Sequence, residues 1–201
     1  MRTSRRWTAV AVVIVGCLMV SACGRMRPYR ALAKAASSEE NAAAQIQDHQ
    51  LKARIRETIF TTNSGLALAV TPYAYMGHAF LVGFVGSADE ADALMRAVRA
   101  IDGVRTLETY LPMRPAERST AGDLELKAQV KGTLALEPGE VVTRIEIEVL
   151  AGHVVLLGVV RSSDAVTAAG TSVGRISGVT GVTNFLLVPE AEYESVRPRI
   201  R

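Results

Sequence analysis

Displaced by 75 positions, the chain falls on itself without a gap from Leu51 to Leu111. Leu51-Lys52-Ala53 lands on Leu126-Lys127-Ala128, and Gly77-His78 lands on Gly152-His153. Leu81, Gly83 and Val85 land on Leu156, Gly158 and Val160; Ser87 and Asp89 land on Ser162 and Asp164; Ile101, Gly103 and Val104 land on Ile176, Gly178 and Val179. Whatever one copy folds into, the other must fold into as well, so the chain is read as two copies of one small domain. They occupy residues 48–112 and 123–189, with a linker at 113–122 that holds Pro115, Ser119 and Gly122.

Each copy reads helix, strand, strand, helix, strand. Leu51, Ile55 and Ile59 recur at a spacing of four, the mark of one helix face. Two β-rich runs follow, Leu66–Ala74 and His78–Gly86, with Tyr75-Met76-Gly77 as a tight connection. Ser87-Ala88-Asp89-Glu90 is a capping-box pattern, and Ala91, Leu94, Val98 and Ile101 form the next helical stripe. Gly103 suits a left-handed stop, and Val104–Leu111 is the last strand. In the second copy the corresponding pieces are Val130 and Leu134, Arg144–Leu150, His153–Arg161, the stripe Val166, Ala169, Val173 and Ile176, and Val179–Val188.

Ahead of the repeats stands a leader. Met1-Arg2-Thr3-Ser4-Arg5-Arg6 is basic, Trp7–Val20 is an unbroken apolar run, and Ser21-Ala22-Cys23 closes it. Those are the three parts of a secretory signal over residues 1–22. The run is shorter than the roughly 20 residues that cross a bilayer as a helix. Val20-Ser21-Ala22-Cys23 resembles the bacterial lipobox, which implies cleavage before Cys23 and acylation of its thiol. Gly24 in place of aspartate then implies sorting to the outer membrane, facing the periplasm. Two or three acyl chains, at about 0.8 kcal/mol per buried methylene, hold such a chain stably. Residues 23–47 are expected to be anchor and tether, with helix formers from Ser38 on. Arg25, Arg27, Arg30 and Lys34 read either as a solvated basic linker or as contacts to anionic headgroups, at about 1 kcal/mol per basic residue. The other cysteine, Cys17, leaves with the leader, so the mature chain has no disulfide.

Cleavage also resets the charge. Arg2, Arg5 and Arg6 are the only charges before the cut, so removing three positives from a formal +3 leaves zero. The basic balance belongs to the leader and gives no ground for nucleic-acid binding.

The repeated unit resembles the BON domain of bacterial envelope proteins. The residues that carry the resemblance are Gly77-His78-Ala79-Phe80-Leu81-Val82-Gly83 with Gly103-Val104, and Gly152-His153-Val154-Val155-Leu156-Leu157-Gly158 with Gly178-Val179. It implies an α+β fold of two tandem αββαβ domains, each a small mixed three-stranded sheet with two helices on one face. It implies a non-enzymatic role in outer-membrane integrity through phospholipid binding, with the second domain's first helix as the membrane contact. On that helix Lys127 and Lys131 share a face, but Asp123 and Glu125 accompany them. From Asp123 to Pro189 there are five basic and seven acidic residues, a net −2.

Alternation in the strands points to a second kind of surface. With Leu81, Gly83 and Val85 toward the helices, His78, Phe80, Val82 and Phe84 face the other way, as do His153, Val155, Leu157 and Val159 in the second copy. A half-solvated strand should carry polar residues on its wet side, and these do not, so something covers them. The sister domain, another protein chain and lipid are the alternatives; stacking of sheets favours protein, and Tyr73 and Tyr110 extend the first patch. A protein-interaction adaptor that binds an envelope partner or itself is therefore the second functional reading. The second domain's second helix carries Thr167, Gly170, Thr171 and Gly174 where the first has Asp92, Arg96 and Arg99, which points to close docking against another element.

Catalytic and metal signatures are missing from the sequence. His49, His78 and His153 form no ligand-spaced cluster, so no metal and no cofactor are expected. Glu146 and Glu148 alternate on a strand and read as its wet face. No nucleophile elbow, P-loop or dinucleotide fingerprint occurs, and the chain is expected not to be an enzyme. Residues 190–201 read as a flexible tail.

Overall fold

The structure, a computed structural model, describes residues 27–116, 119–136 and 145–189, with side chains described from residue 45 on. Residues 1–46 form one unit and residues 47–201 another. Cys23 and Arg25, the leader and the C-terminal tail lie outside the described residues.

The second unit holds both copies. Helix α1 spans Arg27–Thr62, and its Leu51, Ile55 and Ile59 are buried. A single turn, α2 (Leu66–Ala69), leads into strand β1 (Val70–Tyr75); β2 (His78–Gly83), α3 (Ala88–Arg99) and β3 (Thr106–Tyr110) follow. The second copy is α4 (Thr120–Ala135), β4 (Ile145–Leu150), β5 (His153–Val159), α5 (Ser163–Gly174) and β6 (Gly181–Leu187). Each sheet has its middle strand antiparallel to the first and parallel to the third, in the orders β1-β2-β3 and β4-β5-β6. The expected α+β architecture, two mixed three-stranded sheets with helices, is the one found.

Three elements depart from expectation. Leu66–Ala69 is helical where a strand was expected: Leu and Ala are strong helix formers, and the turn brings the Ala69 carbonyl onto the end of β2, where it accepts from Phe84 N at 3.1 Å. A Cβ on Gly83 would overlap that carbonyl oxygen and lie 2.6 Å from Val70 Cα, so only glycine permits the approach. Helix α1 begins at Arg27, well before Ser38, so the backbone of the expected tether is helical from there. The capping box at Ser87 is open: Ser87 Oγ accepts from Glu90 N at 3.2 Å, but Glu90 returns to Gly86 N at 2.6 Å and takes Asn63 Nδ2 at 2.6 Å.

Each copy buries its own core between helices and sheet. In the first, Leu51, Ile55, Ile59, Leu94 and Val98 meet Ala79, Leu81 and Val85. In the second, Leu126, Val130, Leu134, Ala169 and Val173 meet Val154, Leu156 and Val160. The linker is partly structured: Met113 extends the first sheet by a parallel bridge to Val85, and Ser119 Oγ caps α4 through Gly122 N at 3.1 Å.

Candidate functional site: the paired sheets and the α4 face

A third core lies on the sides of the sheets that face away from the helices. Tyr73, Phe80, Val82, Phe84, Leu150, Val155 and Leu157 are all buried in it. Because they come from both copies, the two sheets pack on each other, and Tyr75, Tyr110, Phe185 and Leu187 close its margin. The faces expected to be covered by the sister domain, another chain or lipid are therefore occupied by the sister domain; of the residues named for that surface, Tyr110, His153 and Val159 are half-buried and the others buried. Phe80 stacks obliquely on Phe185 at 5.4 Å between centroids, and Tyr110 lies flat on His153 at 4.3 Å and 12°.

Repeat positions meet across this interface. Tyr73 and Glu148 are equivalents, 75 residues apart, and the tyrosine hydroxyl donates to Glu148 Oε1. Lys52 and Lys127 are also equivalents: Lys52 Nζ sits 4.8 Å above the Tyr73 ring, and Lys127 Nζ lies 3.2 Å from Glu148 Oε2. In the same way Tyr110 and Phe185, equivalent positions on β3 and β6, each pack on the other domain's middle strand. The two copies thus meet through like positions, the self-complementary pairing typical of a twofold interface, here within one chain. Burial, helped by hydrogen bonding to Glu148 and by its charge, pushes the Tyr73 phenol well above its ordinary range; burial and the Glu146 and Asp48 charges do the same for Tyr75. Burial raises Tyr110 and lowers His153, so in both partners of the stack it favours the neutral form.

These contacts correct several expectations. Glu148 is not simply a wet-face carboxylate, since it joins the domains; Glu146 is exposed. Lys127 is spent on Glu148, which leaves Lys131 as the exposed member of the lysine pair. The sequence reading missed Tyr73–Glu148 because no periodicity records which repeat positions meet. Gly170 does sit against another element, but of its own domain: a Cβ there would lie 3.2 Å from Asn184 Nδ2, which donates to the Val166 carbonyl at 2.9 Å. Gly174 is exposed, 4.0 Å from Val182 Cγ2 by the same measure.

A pair of aspartates also escaped the sequence reading. Asp48 accepts from Met76 N at 2.8 Å and Gly77 N at 3.1 Å, and Asp123 from Ala151 N at 3.1 Å and Gly152 N at 2.9 Å. Both turns are left-handed at two successive residues (Met76 φ 53°, Gly77 φ 78°; Ala151 φ 52°, Gly152 φ 81°), as a two-residue hairpin of this hand demands. The carboxylates fasten the hairpins to the helices. Extending the 75-residue match three positions toward the N-terminus would have exposed the pair.

Toward solvent, α4 presents a separate stripe. Leu124, Ala128, Lys131 and Ala135 recur at four, three and four residues and are all exposed, Leu124 at 69%. No acid interrupts it. Arg27 and Arg30 lie in α1, with side chains outside the described residues. Among the described residues no three His, Cys, Asp or Glu side chains are placed to hold a metal, and no helix is long and apolar enough to cross a membrane.

Fold and interface together define a tandem α+β repeat protein whose two modules close face to face. The BON domain model matches residues 47–111 and 122–190, two thirds of the chain, and the chain belongs to that family. BON domains occur in periplasmic and envelope proteins and bind phospholipid there. No curated protein matches the chain. Two solved structures resemble it, both of CdsD, a structural protein of the type III secretion system of Chlamydia trachomatis, one of them its C-terminal domain. Each is 12% identical, with TM-scores of 0.29 and 0.30. They cover 70% and 75% of this chain, which spans 66% and 70% of theirs, the first share just under two thirds.

Proposed function

We propose that this chain is a lipoprotein anchored through Cys23 to the outer membrane, facing the periplasm, and that it supports membrane integrity by binding anionic phospholipid. In this reading it is not an enzyme. Acyl chains on Cys23 supply most of the membrane affinity, aided by Arg25, Arg27 and Arg30. The second domain adds a contact through α4. The observation that carries the reading is the acid-free stripe Leu124, Ala128, Lys131 and Ala135, which stays exposed on a BON domain whose sheet face is already covered. Leu124 would enter the headgroup region and Lys131 would meet phosphate. A partner protein bound on the sheet faces would have to displace the sister domain, which weakens the adaptor reading.

Flotation with vesicles tests this, using the mature chain with Cys23→Ser so that acyl chains contribute nothing. Flotation with phosphatidylglycerol vesicles, lost in Leu124→Asp with Lys131→Glu and kept in Lys127→Gln, is the expected result. Equal flotation of the double variant, or none by the unsubstituted chain, rejects the α4 contact. Mass spectrometry of the native N-terminus tests the anchor separately: an unmodified Cys23 rejects it.

A further inference from the structure

The exposed stripe on α4 has a counterpart on α1. Seventy-five residues before Leu124, Ala128, Lys131 and Ala135 stand His49, Ala53, Arg56 and Phe60. All four are exposed, Phe60 at 61%. No acid stands among them. Asp48, beside the stripe, has both carboxylate oxygens on the hairpin amides of Met76 and Gly77, and Glu57 borders it where α4 has Gly132. Each stripe thus carries a permanent base and a large apolar side chain: Lys131 with Leu124 on α4, Arg56 with Phe60 on α1.

Contacts across the domain interface fix where the two stripes lie. Tyr73 and Glu148 are equivalent positions in direct contact, so the internal twofold passes between them. Lys52 lies over the Tyr73 ring and Lys127 pairs with Glu148, so α1 and α4 flank the axis from either side. The side chains of Lys127 and Glu148 are 41% and 27% exposed, so the axis reaches solvent there. Arg56 follows Lys52 by four residues, and Lys131 follows Lys127 by four, which puts each on the same helix face as a lysine that reaches the axis. A twofold rotation leaves the direction along its axis unchanged, so both stripes look out on one side of the molecule.

We propose that α1 is a second contact for anionic phospholipid, and that α1 and α4 engage one bilayer together. The proposal rests on the reading of α4 as a lipid contact and extends it to the first domain. Phe60 beside Arg56 is the pairing that seats a helix at the level of the headgroups, the ring entering the apolar boundary and the base meeting phosphate. On the α4 side Glu148 takes up Lys127, and Glu146 shares a shallow cleft with Lys127 and Lys131. On the α1 side, among the described residues, no carboxylate pairs with Lys52 or Arg56. The first domain therefore brings the less compensated charge. Arg56 and Lys131 stand on separate helices with the Tyr73–Glu148 pair between them, which suits an extended anionic surface and not one small anion.

Single-cysteine chains test this, because the mature chain with Cys23→Ser has no other thiol. An environment-sensitive fluorophore is placed in turn on Ala53→Cys, on its equivalent Ala128→Cys, and on Thr167→Cys of α5, and phosphatidylglycerol vesicles are added. Blue-shifted emission at 53 and 128 but not at 167 is the expected result. A shift at 128 without one at 53 overturns the proposal and leaves the α4 reading standing; a shift at neither rejects both. A shift at 53 alone overturns the joint contact, and equal shifts at all three overturn the proposal because the label itself would then be partitioning. Arg56→Gln should weaken vesicle affinity about five-fold. Arg54→Gln removes the same charge from the other flank of α1, where Arg54 lies against Gly103, and should change affinity by less than about two-fold. Equal losses in the two variants would mean that overall charge and not the stripe does the binding, and would overturn the proposal.

Discussion

Replacing Phe80 with alanine separates a shared core from an open sheet face. Phe80 is 1% exposed and stands at the centre of the inter-domain cluster, with ring centroids 5.4 Å from Phe185 and 6.1 Å from Tyr75. Truncating a phenylalanine in a packed interior costs about 3–5 kcal/mol, part transfer and part cavity. Phe80 belongs to the inter-domain cluster and to neither domain's own core, so the loss falls mainly on the coupling between domains. Urea denaturation followed by tyrosine fluorescence and far-UV circular dichroism should show one coincident transition in the parent. In Phe80→Ala the transition should move by about 3–5 kcal/mol, and the two probes should part as the domains unfold separately. Phe60 on α1, 61% exposed, is the control of the same residue type, and its alanine variant should stay within about 0.5 kcal/mol. A Phe80→Ala loss as small as that of Phe60→Ala would mean that the sheet faces are not packed together.

Other consequences follow from single contacts. Asp123→Ala removes a buried carboxylate that accepts two backbone N–H groups and should cost about 2–4 kcal/mol by denaturation, whereas Glu125→Ala should change little. Gly83→Ala forces a Cβ against the Ala69–Val70 backbone and should cost about 3 kcal/mol, which a melting-temperature drop would register. His153 has a folded pKa below its ordinary 6.5, so the unfolded chain binds more protons as pH falls: its contribution is present above about 6.5 and is lost on acidification. The acid limb of the stability curve should flatten in His153→Asn. Tyr73 and Tyr75 are shifted the other way, so their contribution is present below the ordinary value of 10.0 and falls at higher pH, and Tyr73→Phe should reduce that alkaline loss.

Much of this architecture was legible because the chain states it twice. The 75-residue match made one copy a check on the other, and strand alternation correctly separated Leu81 and Val85 from Phe80, Val82 and Phe84. Apolar residues on both sides of β2 and β5 announced that the far face was covered. What covered it was not legible, since sheet packing depends on how two domains meet and leaves no trace in spacing along the chain. For the same reason Lys127 read as half of a basic face when its partner is Glu148, 21 residues away on β4. Local misreadings came from competition at element ends. Leu66–Ala69 favours helix by propensity, and only the glycine at position 83, facing its carbonyl, marked the turn.

The two BON domains close on each other through their sheets and leave the Leu124–Lys131 stripe of α4 facing outward. Nuclear Overhauser contacts in the mature chain with Cys23→Ser test that packing. Cross-peaks between the Tyr110 ring and His153, and between Phe80 and Phe185, with one rotational correlation time for both domains, are the predicted result. Absence of those cross-peaks, with the domains tumbling independently, would contradict it.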